Sequence, residues 1–229
     1  MPFVRGDKLK TITTLDKENY RAIMVEEISI KLFELGPTRS ARVRWALLEA
    51  GLTFESVQNG VDIFKSTELL NIHPLGKLPA VLINGQPLFE SAAIVTAIAD
   101  LVPDKKLIAE PSSWLRNLHN QWVCFTLSEL EPFVQSTEIN SMDFVLPAEQ
   151  HVREIVPQNN MLYKKAAAAL EKHFSRHDYL VDDQFSATDI VLAYTLCWGQ
   201  EQKLLDDFPN INEYMDRLYN REHCTLKKP

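Results

Sequence analysis

Between Ile28 and Leu101 the hydrophobic period of this chain switches back and forth between two residues and 3.6. Beyond Ser112 every readable segment lies near 3.6. That change of period constrains the fold to an α/β unit followed by a helical one. Ile28, Ile30, Leu32 and Phe33 form a short apolar run before Gly36-Pro37, a strand ended by a turn. From Arg39 onward Val43, Leu47 and Ala50 recur at helical spacing, with Arg39, Arg42 and Glu49 elsewhere on the wheel, and Gly51 stops the helix. Thr53 to Val57 reads as a second strand and Asn59-Gly60 as a turn. Lys65 to Asn71 is either a short helix or irregular. Ala80–Ile83 and Pro87–Phe89 flank Asn84-Gly85, a strong hairpin signal. From Ser91 a helical pattern runs through Ile94, Val95, Ile98 and Leu101 and ends at Val102-Pro103-Asp104.

Lys105 to Ser112, polar and carrying Pro111, reads as a linker. Trp114, Leu115, Leu118, Trp122, Phe125 and Leu130 then lie near one stripe of a long helix. Ala166 to Leu170, within Met161 to Phe174, is a strong helix-forming run. Ala187 to Trp198 is almost wholly apolar, which implies a helix buried all round. Ile211 to Leu218 is a last amphipathic helix, and Asn140 to Pro157 reads as a loop. The expected organisation is a leader over residues 1–27, an α/β domain over 28–104 and an all-helical domain over 112–229.

With 45% hydrophobic and 24% charged residues among 229, the chain has enough apolar material for a sizeable core. Its net charge of −7 and lack of Lys/Arg clusters argue against nucleic acid as a partner. The three cysteines, Cys124, Cys197 and Cys224, are odd in number and none is paired at C-x-x-C spacing. That argues against a disulfide framework and a zinc site, and for a reducing compartment. Cys124 and Cys197 are expected as buried small hydrophobes. No segment approaches the roughly 20 apolar residues that span a bilayer. Met1 to Glu27 has no continuous apolar core, so it does not read as a signal peptide. A disordered leader, a short added strand and a partner-binding arm all remain open for it.

Three local features carry chemistry. Leu78-Pro79 opens the third strand. A strand-start proline is the plain reading; a cis-proline would instead turn the Leu78 N–H and C=O outward for an extended peptide ligand. Glu90-Ser91 marks a strand end meeting a helix start. Ser91 caps the helix, or its hydroxyl and the helix N-terminus receive a carboxylate while Glu90 holds an ammonium group. Thr38 and Ser40, between the first strand and first helix, either cap that helix or donate a hydrogen bond to a ligand thiolate, which is the nucleophilic form of a thiol.

Taken together, Thr38-Arg39-Ser40 through Leu52, then Pro74-x-Gly76-Lys77-Leu78-Pro79-Ala80-Val81, then Leu88-Phe89-Glu90-Ser91-x-Ala93-Ile94, resemble the N-terminal domain of cytosolic glutathione transferases. Phe185-Ser186-Ala187-Thr188-Asp189-Ile190 resembles the capping motif of that family's C-terminal domain. The physics agrees: Ser186 and Asp189 are spaced as a capping box and Phe185 and Ile190 as a hydrophobic staple.

The resemblance implies a thioredoxin-like glutathione-binding domain followed by an all-α bundle. It places the γ-glutamyl end of glutathione at Glu90 and Ser91, the cysteinyl part against the backbone of Leu78 before Pro79, and the glycyl carboxylate near Lys77. Members use Tyr, Ser or Cys near the start of the first helix. Here Thr38 matches best, and a gap in the loop would shift the match to Ser40. Arg39 stands where another class has its Cys, so a hydroxyl-based mechanism is expected. It would need glutathione as co-substrate, a hydrophobic electrophile, and neither metal nor redox cofactor. Trp114, Trp122 and Phe125 are candidate lining residues of the second-substrate pocket, with helix packing as the plainer role of each. His119 is expected to be a surface or satisfied residue. A cytoplasmic homodimer active in detoxification is what the resemblance implies. A non-enzymatic relative acting through protein partners, and a glutathione-dependent lyase, isomerase or peroxidase, are the alternatives.

Overall fold

The computed structural model describes residues 28–229 with the exception of Pro37. The leader expected over residues 1–27 lies outside the described residues. Four strands form one sheet in the order β2-β1-β3-β4: β1 is Ile30–Phe33, β2 Glu55–Val57, β3 Ala80–Ile83 and β4 Gln86–Phe89. Helix α1 (Ser40–Ala50) is the crossover between the parallel pair β1 and β2. Strand β3 runs antiparallel to both β1 and β4. Asn84 and Gly85, at φ 49° and 75°, make the turn of the β3–β4 hairpin in the left-handed region that a two-residue turn needs.

Alternation along β1 divides the core. Ile30 and Leu32 join Val81 against α1 and α3 (Ser91–Leu101). Phe33 faces the other way, with Ala80, onto Ile63, Leu69 and Ile72 around α2 (Thr67–Ile72). Lys65 to Asn71, left open by its sequence, thus belongs to two short helical pieces, a 3₁₀ turn over Gly60–Lys65 and α2.

The remaining helices are α4 (Trp114–Phe125), α5 (Glu131–Ile139), α6 (Val156–Phe174), α7 (Ala187–Glu201) and α8 (Pro209–Tyr219). All residues of α7 are buried except Tyr194, Gln200 and Glu201, as its apolar run implies. It packs against α1 and α3, and one apolar core runs from the sheet through these helices into the helical half. The capping box is present. The amide and hydroxyl of Ser186 donate to Asp189 Oδ2 at 2.8 and 2.7 Å, and Leu180 N–H and Tyr214 O–H donate to Oδ1 at 3.1 and 2.9 Å.

Three expectations are corrected. The long helix from Trp114 through Leu130 is interrupted: Thr126–Leu130 is a π-helical turn, and α5 begins after it. Pro132 has no N–H to give the Ser128 carbonyl, so the α-helical ladder cannot run through. Cys124 is exposed on α4, not buried, whereas Cys197 is buried on α7. Arg42, assigned to the polar side of α1, is 1% exposed, because that side faces α7.

Candidate functional site

The expected binding residues of the first half gather where loops meet the ends of β1, β3 and β4. The Leu78–Pro79 peptide is cis. Among the described residues no backbone hydrogen bond uses Leu78, which leaves its N–H and C=O to another partner. The loop carrying it is held by His73, a buried residue that sequence reasoning missed. Its Nδ1 accepts the Leu75 N–H at 3.1 Å, and its ring lies 4.8 Å from that of Phe89. Gly76, at φ 58°, turns the chain toward Lys77. A Cβ there would meet Leu70 Cδ2 at 3.0 Å. Lys77 is exposed and makes no ion pair among the described residues.

Glu90 sits at φ 70°, ψ 111°, a conformation that a side-chain-bearing residue adopts at a cost of order 1–3 kcal/mol. Its carboxylate is exposed and hydrogen-bonded to nothing among the described residues. Ser91, next in the chain, is buried and is the first residue of α3, so it does not cap the helix. Its Oγ instead accepts a hydrogen bond from Arg42 Nη1 at 3.1 Å.

Arg42 heads a buried network that sequence reasoning missed. Its side chain is 0% exposed. Nε donates to the Val191 carbonyl at 3.0 Å, and Nη2 to Glu131 Oε2 at 2.5 Å and Thr195 Oγ1 at 2.7 Å. Thr195 Oγ1 donates to the same carboxylate oxygen at 2.9 Å, and Arg39 Nε to Glu131 Oε1 at 2.5 Å. Burial by itself pushes the Glu131 carboxyl up; the Arg42 and Arg39 guanidinium groups outweigh it and hold it at about 2.

Thr38 and Ser40 are in contact with each other, 2.8 Å apart at their oxygens. The Thr38 hydroxyl also reaches the Leu35 carbonyl at 2.5 Å, and its oxygen accepts the Ser40 N–H at 3.2 Å. Ser40 Oγ is buried and accepts the Leu35 N–H at 3.3 Å. The one Thr38 proton therefore already has two internal acceptors, and a ligand thiolate must compete with them.

The three aromatic candidates do not form one cluster. Trp114 is 74% exposed at the start of α4. Trp122 and Phe125 are half-buried and meet edge to face at 5.5 Å, with the His173 ring 4.9 Å from Trp122. His119 is buried and satisfied, its Nδ1 2.8 Å from Thr188 Oγ1. Burial, reinforced by the charge of Arg116, lowers its pKa to about 4. Among the described residues no group of three or more His, Cys, Asp or Glu is placed to hold a metal ion, and no helix is long and apolar enough to cross a membrane.

Family models for the glutathione S-transferase N-terminal and C-terminal domains match residues 28–100 and 138–222, together more than half of the chain. Elongation factor 1-gamma of Prunus avium is 28% identical over 165 residues, which cover 69% of this chain and 37% of that protein. The chain thus spans well under half the length of that relative. Glutathione S-transferase 3 of Schizosaccharomyces pombe is 25% identical over 214 residues, 86% of each chain. Among solved structures, a ternary complex of BphK, a bacterial glutathione transferase, is 27% identical. It superposes with a TM-score of 0.75 over 85% of this chain and 95% of its own. With a thioredoxin-like sheet domain followed by a helical bundle, and with both family domains matched in order, the chain belongs to the glutathione S-transferase family.

Proposed function

We propose that the chain is a glutathione transferase: it binds glutathione along the cleft from Lys77 to Ser91 and conjugates its thiolate to an electrophilic small molecule. The observation that carries the reading is Glu90, held at a strained φ with its carboxylate unpaired among the described residues, directly before the buried hydroxyl of Ser91. Among the described residues nothing uses that carboxylate, and such strain persists where a site requires it. Ser91 and the α3 N-terminus suit the α-carboxylate of the γ-glutamyl group, and Glu90 suits its ammonium. Leu78 suits the cysteinyl backbone and Lys77 the glycyl carboxylate.

In this reading a hydroxyl at the α1 start donates to the thiol sulfur and favours the thiolate over the thiol, whose free pKa is about 8.5. Thr38 is the assigned donor, once a ligand sulfur displaces one of its two internal acceptors. Turnover of glutathione with an activated aryl chloride by Thr38→Ala and Ser40→Ala tests the assignment. Loss in Thr38→Ala alone supports it. Full turnover in Thr38→Ala with loss in Ser40→Ala moves the role to Ser40. Trp122 and Phe125, and less so the exposed Trp114, are the proposed contacts of the hydrophobic co-substrate.

A homodimer fits a shallow groove of about 520 Å³ that starts at Glu90 and is lined further by Leu88, Ala93, Ala97, Asp100, Val123 and Leu127. Light scattering that finds only a 26.2 kDa species rules it out. A cytoplasmic setting fits the three unpaired thiols.

The engagement of the Thr38 hydroxyl favours a second reading, with the likeness to elongation factor 1-gamma on its side. The cleft would then hold glutathione without turnover, and the chain would act through protein partners. Glutathione binding together with no turnover across a panel of aryl chlorides, alkyl halides, epoxides and peroxides would select it.

A further inference from the structure

We infer that Arg42 is a positioning residue for the ligand-binding hydroxyl of Ser91, aiming its proton at a ligand carboxylate and bringing a buried guanidinium beneath it. The inference rests on the reading of the cleft as a glutathione site. Ser91 has one proton and two oxygen lone pairs. Arg42 Nη1 occupies one lone pair from the buried side, at 3.1 Å. Among the described residues no acceptor takes the Ser91 proton, so that proton is left for a ligand. As first residue of α3, Ser91 is also spared the backbone-capping duty that would otherwise turn its oxygen inward.

The guanidinium cannot drift from this pose. Four of its donors are fixed at once, on Val191, Ser91, Glu131 and Thr195, and the Tyr194 ring lies 5.0 Å from its central carbon. Three of these partners belong to the helical half, so the pose of a hydroxyl in the first half is set by the second. Arg42 brings its guanidinium charge to the start of α3, where the helix dipole also favours an anion, while Glu131, shared with Arg39, balances it from the far side. Lysine could supply the charge but not the planar fork that spans four acceptors.

Calorimetry with two tripeptides tests this. One is glutathione; the other is γ-aminobutyryl-cysteinyl-glycine, which lacks only the glutamyl α-carboxylate. The wild type should prefer glutathione by about 10- to 100-fold, the worth of a charge-assisted hydrogen bond. Arg42→Lys should cut that preference by about tenfold and leave affinity for the carboxylate-free tripeptide unchanged. If Arg42→Lys fails to fold, Thr195→Val loosens the same guanidinium without changing charge. It should lower the preference by about threefold. A role in folding alone would weaken both tripeptides together; an unchanged ratio in these variants therefore overturns the inference. So does a wild type that binds the two tripeptides equally. A wild type that binds neither overturns the cleft reading as well.

Discussion

Arg42 on α1 and Ser91 at the start of α3 lie 49 positions apart in the chain and meet at 3.1 Å, guanidinium to hydroxyl, in the buried seam between the sheet and the helical bundle. The contact lies within the first half of the molecule. The charge that balances it, Glu131, and the hydroxyl that steadies it, Thr195, come from the second. The candidate site is therefore complete only when both halves are folded and docked.

The first consequence concerns stability. Glu131→Ala leaves Arg42 with no exposure and no ion-pair partner among the described residues, and breaking a buried pair from one side typically costs about 3–5 kcal/mol. Urea unfolding should show a loss in that range. A loss below about 1 kcal/mol would mean that water enters the seam freely.

Stability should fall in two separate acid steps. His119 has its pKa lowered from 6.5 to about 4. Between those values the unfolded chain binds a proton that the folded chain does not, so its contribution is full above pH 6.5 and lost as pH falls through about 4. Glu131, lowered from 4.5 to about 2, contributes fully above pH 4.5 and is lost as pH falls through about 2. Each step is worth roughly 3 kcal/mol. Urea titrations from about pH 7 to about pH 2 should show that His119→Leu flattens the upper step and leaves the lower one. An unchanged upper step would reassign it to other groups.

The cap of α7 should cost more than an ordinary cap. Losing an N-cap costs about 0.5–2 kcal/mol. Asp189, fully buried, also accepts from Leu180 N–H and Tyr214 O–H, so Asp189→Ala strands further buried donors. Thermal or urea denaturation should place it above about 2 kcal/mol. A smaller loss would mean that the Leu180 and Tyr214 donors find other acceptors.

What the chain's order of residues reveals is what is local. The hairpin follows from Asn84-Gly85, whose backbone both turns left-handed, and the cap from four consecutive positions, Ser186 to Asp189. The buried α7 follows from an uninterrupted apolar run. Arg42 is illegible for the opposite reason. On a wheel of α1 alone it shares a side with Arg39 and Glu49, and polarity there suggests solvent. The partners that bury it, Glu131, Val191 and Thr195, lie 89 to 153 positions away. Glu131 is hidden as well, because a helix stripe read through to Leu130 conceals the π turn that resets the register before it. The one available signal is Pro132, which should have stopped that helix. Trp114 misleads in the same way: it fits the apolar stripe of α4, but at the first turn it overhangs the bundle and is exposed.

The measurement closest to the central claim is the binding of glutathione to the purified protein by calorimetry, repeated on Ser91→Ala. Binding in the micromolar-to-millimolar range is expected, weakened about tenfold or more by the substitution, since a charge-assisted hydrogen bond is worth about 1.5–3 kcal/mol. Undetectable binding, or binding that Ser91→Ala leaves untouched, would contradict the placement of a glutathione site at Glu90 and Ser91.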